Sequence, residues 1–324
     1  MKISVIFTGG TIGSAMEGKY ISLHADSFRL LQLYKERFDT SDIEFETDNP
    51  FSVLSENLSL NHALALAGLV GRQAGTGCYD AIILTHGTDS LQYTASLLEW
   101  MCGDLNIPVF LVSSSLVLDD PDSNGLVNFH GAITAAREKM PPSVYVSWQN
   151  PGEDLCIHRA SMLLPHQIFS ENIYSVKNKI AASVKDNRLI LSDSDFRELE
   201  VLDSLRIRRT DRLPHILMLH IYPGMGEVFA QSALPDDTDA IILTAYHSGT
   251  LPTEQPSFIR FCAEANRRNI PIYVCGTYMR HGYISTGKFE ELSLLPMPWI
   301  SPIALYTRLV SLCAAGETPA YQTP

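Results

Sequence analysis

The chain has 324 residues and is acidic, with 24 Lys and Arg against 36 Asp and Glu and a formal net charge of −12, a balance that excludes a general nucleic-acid binder. Its 45% hydrophobic residues can bury a sizeable core, and this length favours two domains over one. With no apolar run of about 18 residues and six cysteines (Cys78, Cys102, Cys156, Cys262, Cys275, Cys313) lacking any C-x-x-C pair, a membrane span, a zinc site and a disulfide framework are all unsupported.

Buried free thiols in a cytoplasmic protein are the expectation. The opening Met1-Lys2-Ile3-Ser4-Val5-Ile6-Phe7 is basic, then apolar, and breaks at Thr8-Gly9-Gly10. That is too soon for a secretory signal and predicts a first strand. Further β-branched runs follow at 80–85, 107–112, 143–148, 216–221, 239–244 and 270–275. Each leads through turn residues into a helical pattern, and strands alternating with helices predict parallel sheets. The runs are apolar on both faces, as strands covered by helices on both sides are. The fold class is therefore α/β, a parallel-sheet sandwich.

Asp80-Ala81-Ile82-Ile83-Leu84-Thr85 recurs letter for letter as Asp239-Ala240-Ile241-Ile242-Leu243-Thr244, and Asn106-Ile107-Pro108-Val109 is answered by Asn269-Ile270-Pro271-Ile272. Internal duplication and convergence on a common strand motif both account for this echo. Charge rises and the strand pattern lapses over 185–213. The expected organisation is a larger N-terminal domain at 1–190, a linker at 191–213 and a smaller C-terminal domain at 214–324. The basic stretch at 206–212 reads as a solvated face.

The first strand ends in Thr8-Gly9-Gly10-Thr11-Ile12-Gly13-Ser14, and open parallel sheets bind ligands beyond the carboxyl ends of their strands. The segment lacks the lysine of a Walker loop and the glycine spacing of a dinucleotide turn. It reads either as a tight structural turn or as a site with hydroxyl chemistry. The second candidate, Thr85-His86-Gly87-Thr88-Asp89-Ser90, ends a strand that crossover rules make parallel to the first. Thr11 and Thr88-Asp89 can therefore converge, and a hydroxyl linked to a carboxylate is one way to activate a nucleophile. Asp89 equally suits the cap of a helix beginning near Ser90.

Together these two segments resemble the bacterial-type L-asparaginases and glutaminase-asparaginases, whose hallmarks are T-G-G-T-I and H-G-T-D-[ST]. Ser55-Glu56-Asn57-Leu58, the stretch from Asn124-Gly125 to Asn128, and Tyr222-Pro223-Gly224-Met225 are similar to further family segments. The resemblance implies a linear-amide hydrolase of the L-asparaginase type, without metal or organic cofactor, acting on L-asparagine, with L-glutamine as the alternative substrate. It also implies a homodimer or homotetramer with neither nucleic-acid nor membrane partners. By that analogy Thr11 is the nucleophile and Thr88 the second catalytic threonine. Tyr20 resembles the family's lid tyrosine, which assists proton transfer. Asp89 with Glu56 would hold the substrate α-ammonium and Ser55 the α-carboxylate. Backbone N–H groups near Thr88 would meet the oxyanion, an effect typically worth about 2.7–4 kcal/mol per donor.

The sequence departs from the family pattern at Met162, which stands where the family pairs the aspartate of H-G-T-D with a lysine three residues after an arginine, here Arg159. A methionine carries no proton, so an unpaired, partly buried Asp89 is expected to have a raised pKa. Arg159 is a poor proton acceptor because it stays charged. Val112-Ser113-Ser114-Ser115-Leu116 also differs from the family's G-[SA]-[MQ]-R run, with serines that could face the substrate. His247, in the C-terminal loop 246–250, reads as a satisfied surface residue. An amino-acid-binding or weakly active paralogue is the alternative. Ammonia-supplying subunits of tRNA-dependent amidotransferases share the motifs, but the acidic charge and the early position of Thr8-Gly9-Gly10-Thr11 weigh against that reading.

Overall fold

The computed structural model describes residues 1–17, 20–23, 28–102, 105–192, 213–231, 234–277 and 282–317, with backbone alone for 11, 14–17, 20–23, 227, 230 and 231. The chain divides into two compact units, Met1–Arg206 and Ile207–Pro324. In chain order the first contains β1 (Lys2–Phe7), β2 (Ser14–Glu17), β3 (Tyr20–Leu23), α1 (Arg29–Arg37), β4 (Glu44–Asp48), α2 (Leu60–Gly75) and β5 (Ala81–Thr85). It continues with α3 (Leu91–Cys102), β6 (Val109–Val112), α4 (Gly125–Arg137), β7 (Val144–Trp148), β8 (Leu155–Arg159), β9 (Ala182–Lys185) and β10 (Arg188–Leu191). The second unit contains β11 (His215–His220), α5 (Met225–Gln231), β12 (Thr238–Thr244), α6 (Pro256–Arg267), β13 (Ile272–Cys275), β14 (Leu294–Met297) and α7 (Pro302–Ala314).

The sheet of the first unit runs β10-β9-β8-β7-β6-β5-β1-β4. From β4 through β7 all pairings are parallel, whereas β7–β8, β8–β9 and β9–β10 are antiparallel. Strand alternation sorts β1 cleanly. Ile3, Val5 and Phe7 join Leu30, Leu31 and Tyr34 of α1 and Phe129, Ala132 and Ile133 of α4 in one buried core, while Ser4 and Ile6 point to the opposite face, also buried. Helices α2 and α3 pack on each other, and α3 also packs on β7. All of α3 except Tyr93 is buried, including the polar Gln92, Thr94, Ser96 and Glu99, so this helix is an interior element.

The second unit is a four-stranded parallel sheet, β11-β12-β13-β14. Phe229 of α5 and Phe258, Phe261 and Cys262 of α6 close its core over Ile241, Leu243, Ile272 and Val274, and α7 packs against β11 and β12. The sequence echo is structural. Ile82 N–H donates to Pro108 O at 3.2 Å and Ile241 N–H to Pro271 O at 2.9 Å. His86 N–H donates to Val112 O, and in the same relative place Ala245 N–H donates to Cys275 O. Asp80 Oδ2 accepts the N–H of Lys2 at 2.7 Å, and Asp239 Oδ2 accepts that of His215 at 2.8 Å.

The described residues thus form two α/β units with parallel-rich sheets, as the strand pattern implies. The lapse of strand pattern expected from residue 185 is corrected by the β9–β10 pairing, which carries strand structure to Leu191. Residues 193–212, with the basic cluster at 206–212, lie outside the described part. Of the cysteines, all free, Cys102, Cys262 and Cys275 are buried, while Cys78 is exposed and Cys156 and Cys313 are half-buried. No described helix is long and apolar enough to cross a membrane.

Candidate active site

The two hydroxyl-bearing motifs meet because β1 and β5 are parallel neighbours, with Phe7 in register with Thr85. Beyond their carboxyl ends, Thr8 Oγ1 donates to the Thr85 carbonyl at 2.6 Å and Thr8 N–H donates to Thr85 Oγ1 at 3.4 Å. Gly10 then turns at φ +80° with its Cα pressed against the backbone of Gly87, so that any Cβ there would collide with Gly87 and His86. A side chain is excluded by both conformation and space. A Cβ on Gly87 would in turn meet Ser55, Cβ to Cβ at 2.6 Å. Three segments distant in sequence are thereby packed together, the first two backbone to backbone and the third through the Ser55 side chain.

Ser55 opens the single turn Ser55–Asn57 and ties the third segment to the second. Its Oγ donates to Asp89 Oδ2 at 3.1 Å and lies 3.3 Å from the Asp89 N–H, which donates to it. Ser90 Oγ donates to the Ser55 carbonyl at 2.7 Å. Ser55 is buried, Thr88 half-buried, and Asp89 and Glu56 are exposed. Asp89 is therefore neither deeply buried nor without a partner, so both premises of the expectation drawn from Met162 fail. The side chains of Thr11 and Tyr20 are outside the described part; the backbone of Thr11 begins the turn Thr11–Gly13 directly after Gly10.

His86, the first residue of the second motif, is fully buried. Its Nδ1 lies 2.8 Å from the Gly87 carbonyl, which can only accept, so Nδ1 carries the proton. Burial pushes its pKa down to about 4 and keeps the ring neutral.

Asn124 and Asn128 serve the scaffold. Asn124 Oδ1 accepts from the Ser115 N–H at 2.9 Å and its amide donates to the Gln149 carbonyl at 3.1 Å. Asn128 donates to Ser113 O and accepts from the Gln149 N–H. These bonds lash the loop after β6 to the loop after β7. Of the three serines after β6, Ser113 and Ser114 are fully buried, and Ser114 Oγ donates to the Leu116 carbonyl at 2.5 Å, whereas Ser115 is half-buried and its Oγ donates to Asn124 Oδ1 at 3.2 Å.

Met162 closes the single turn Ala160–Met162 and is buried. Arg159 does not turn to Asp89 in its stead. Its Nε binds Glu99 Oε1 at 2.5 Å, and Glu99 Oε2 accepts the Ser161 N–H. The buried Glu99 of α3 thus anchors the end of β8, a pairing with no sequence signal because its partners stand 60 residues apart. Among the described residues no group of His, Cys, Asp and Glu is arranged to hold a metal ion.

Residues 2–164 match the model of the asparaginase N-terminal family. The chain belongs to the asparaginase family. It is 26% identical over 326 residues to an L-asparaginase of Thermococcus kodakarensis, covering 98% of this chain and 94% of that one. It is 23% identical over 327 residues to a component of the glutamyl-tRNA(Gln) amidotransferase of Methanosphaera stadtmanae, covering 98% of this chain and 72% of the relative. In structure, the thermostable L-asparaginase from Thermococcus kodakarensis superposes with a TM-score of 0.75 at 24% identity, over 97% of this chain and 93% of that one.

Proposed function

We propose that this protein hydrolyses the side-chain amide of L-asparagine to L-aspartate and ammonia through a threonine acyl-enzyme. The observation that carries the reading is the packing of Gly10 on Gly87 and of Gly87 on Ser55, which brings together the residue before Thr11, the residue before Thr88 and the hydroxyl bonded to Asp89. In this reading Thr11 Oγ attacks the amide carbon, its proton passing to the leaving nitrogen with help from Tyr20 or Thr88. The tetrahedral intermediate collapses to an ester with loss of ammonia. Water then attacks the ester, releasing aspartate and returning the proton to Thr11. Asp89 and Glu56, both exposed carboxylates beside Ser55, suit an α-ammonium, and the Ser55 hydroxyl suits an α-carboxylate.

The test compares ammonia release by the wild-type protein and Thr11→Ala, with L-asparagine, L-glutamine and D-asparagine as substrates. Turnover is expected to fall at least about 1,000-fold in Thr11→Ala, with circular dichroism and melting temperature unchanged. A folded Thr11→Ala protein that still turns over asparagine overturns the reading. Two observations favour further readings. Met162 in place of a lysine suits a paralogue that binds an amino acid and turns it over slowly, which would show as calorimetric binding without ammonia release. The similarity to components of glutamyl-tRNA(Gln) amidotransferases suits an ammonia donor to a partner protein, which would show as hydrolysis appearing only when such a partner is added.

A further inference from the structure

His86 carries a buried side chain in the second motif that the proposed chemistry leaves unused. Its ring makes one polar contact among the described residues, the bond from Nδ1–H to the Gly87 carbonyl at 2.8 Å. Nε2, an acceptor in that tautomer, is buried without a partner. An unpartnered buried nitrogen is destabilising, and an apolar side chain would fill the same space without that penalty. What the imidazole adds at this place is therefore the single hydrogen bond it donates. Gly87 explains why a donor is needed. A Cβ there would collide with Ser55, so the residue must be glycine, and glycine leaves the plane of the following peptide free to rotate. The bond from His86 fixes that plane.

The Gly87–Thr88 peptide is trans and planar, so its N–H runs antiparallel to its C=O. With the carbonyl held on the fully buried ring, the Thr88 N–H points away from that ring. It meets no acceptor among the described residues, whereas the next N–H, that of Asp89, donates to Ser55 Oγ at 3.3 Å. The chain emerges at this point, with Gly87 buried, Thr88 half-buried and Asp89 exposed. Gly10, the residue before Thr11, presses on Gly87, the residue before Thr88. We propose that His86 is a positioning residue which, by anchoring the Gly87 carbonyl, aims the Thr88 N–H at the carbonyl oxygen of the scissile amide. The inference rests on the amidohydrolase reading above. When a hydroxyl attacks that amide, the carbonyl oxygen gains negative charge, and a donor already aimed at it stabilises the transition state without reorienting. A peptide plane left to rotate loses part of that stabilisation to its own ordering.

The test measures ammonia release from L-asparagine by His86→Leu and His86→Asn. Leucine and asparagine share a shape and vacate the same part of the ring's space, but only asparagine keeps a donor, Nδ2, where Nδ1 stands along the side chain. His86→Leu is expected to lose about 100-fold or more in kcat with KM changed less than about 3-fold, and His86→Asn to recover kcat to within about 5-fold of wild type. A role in packing alone predicts equal losses, so equal losses in the two variants, or an unchanged kcat in His86→Leu, overturn the inference. Should His86→Leu fail to fold, His86→Asn decides by the same limit. A second arm needs no turnover: the imidazole nitrogen resonances of His86 in the wild-type protein at neutral pH are expected to show Nδ1 protonated and Nε2 not. The opposite tautomer removes the anchor and refutes the inference. Should the wild-type protein release no ammonia, the amidohydrolase reading fails and this arm alone decides whether His86 holds the Gly87 carbonyl.

Discussion

At the scale of single residues, the contact between Gly10 and Gly87 is the least tolerant point of the site. Gly10 holds φ at +80° with Gly87 backbone where a Cβ would be, so Gly10→Ala must both strain the turn and separate β1 from β5. Positive φ in a non-glycine costs on the order of 1 kcal/mol, and overpacking adds about 1–3 more. Urea denaturation of Gly10→Ala is expected to show a loss of about 2–4 kcal/mol together with loss of any amidase activity; wild-type stability would mean that the two backbones are not in contact. His86 and His158 give a second residue-scale expectation. Burial holds both neutral in the fold, with pKa values of about 4 against 6.5 for a free imidazole. Between those limits the unfolded chain binds the protons and the folded chain does not. Stability contributed by neutrality is therefore whole above pH 6.5 and is lost as pH falls to 4, by up to about 3 kcal/mol per histidine. His158→Gln, which keeps a partner for Ser175, should flatten that fall in denaturation curves taken at pH 7 and pH 4.5, and an unchanged slope would assign it to other groups.

At the scale of elements, the duplicated strand motif makes paired predictions. Asp80 and Asp239 each accept the N–H that opens the neighbouring strand. Asp80→Ala and Asp239→Ala are each expected to cost about 1 kcal/mol and to speed amide exchange at Lys2 and at His215 respectively. Equal protection in variant and wild type would show the bonds to be dispensable. The same elements show what a sequence can disclose. The central strands β1, β5, β6, β7, β12 and β13 are runs of branched apolar residues, buried on both faces, and so could be read from the letters. Strand β4, Glu44-Phe45-Glu46-Thr47-Asp48, could not, because it is an exposed edge whose pairing depends on β1 and on Lys2 lying between Glu44 and Glu46. Antiparallel β8, β9 and β10 were hidden too: β9 and β10 are only four residues long, and β10 is the opposite edge of the sheet, with Arg188, Ile190 and Leu191 exposed. In the candidate site, the segments that bring Ser55 to Asp89 were legible because short motifs carry them. Glu99, which binds Arg159, was not, because its partner stands 60 residues away in the chain and nothing local marks it.

At the scale of the whole molecule, the net charge of −12 bears on the choice between a free amidase and an ammonia donor in a tRNA-dependent complex. Polyanion affinity rises with the number of phosphates that lysine and arginine neutralise, and a chain with an excess of carboxylates repels the phosphate backbone at long range. In filter binding at about 50 mM salt, where electrostatic attraction is strong, the isolated protein is expected to retain no bulk tRNA. A donor of ammonia with this charge would have to leave tRNA contact to its partner, so the absence of retention is compatible with both readings while fixing which chain holds the nucleic acid. Retention that collapses between about 50 and 200 mM salt would reveal a local basic surface that the net charge conceals. The stretch holding Arg206, Arg208, Arg209 and Arg212 is the first place to neutralise, and loss of retention on replacing these four with glutamine would locate that surface and turn the weight of argument toward the amidotransferase reading.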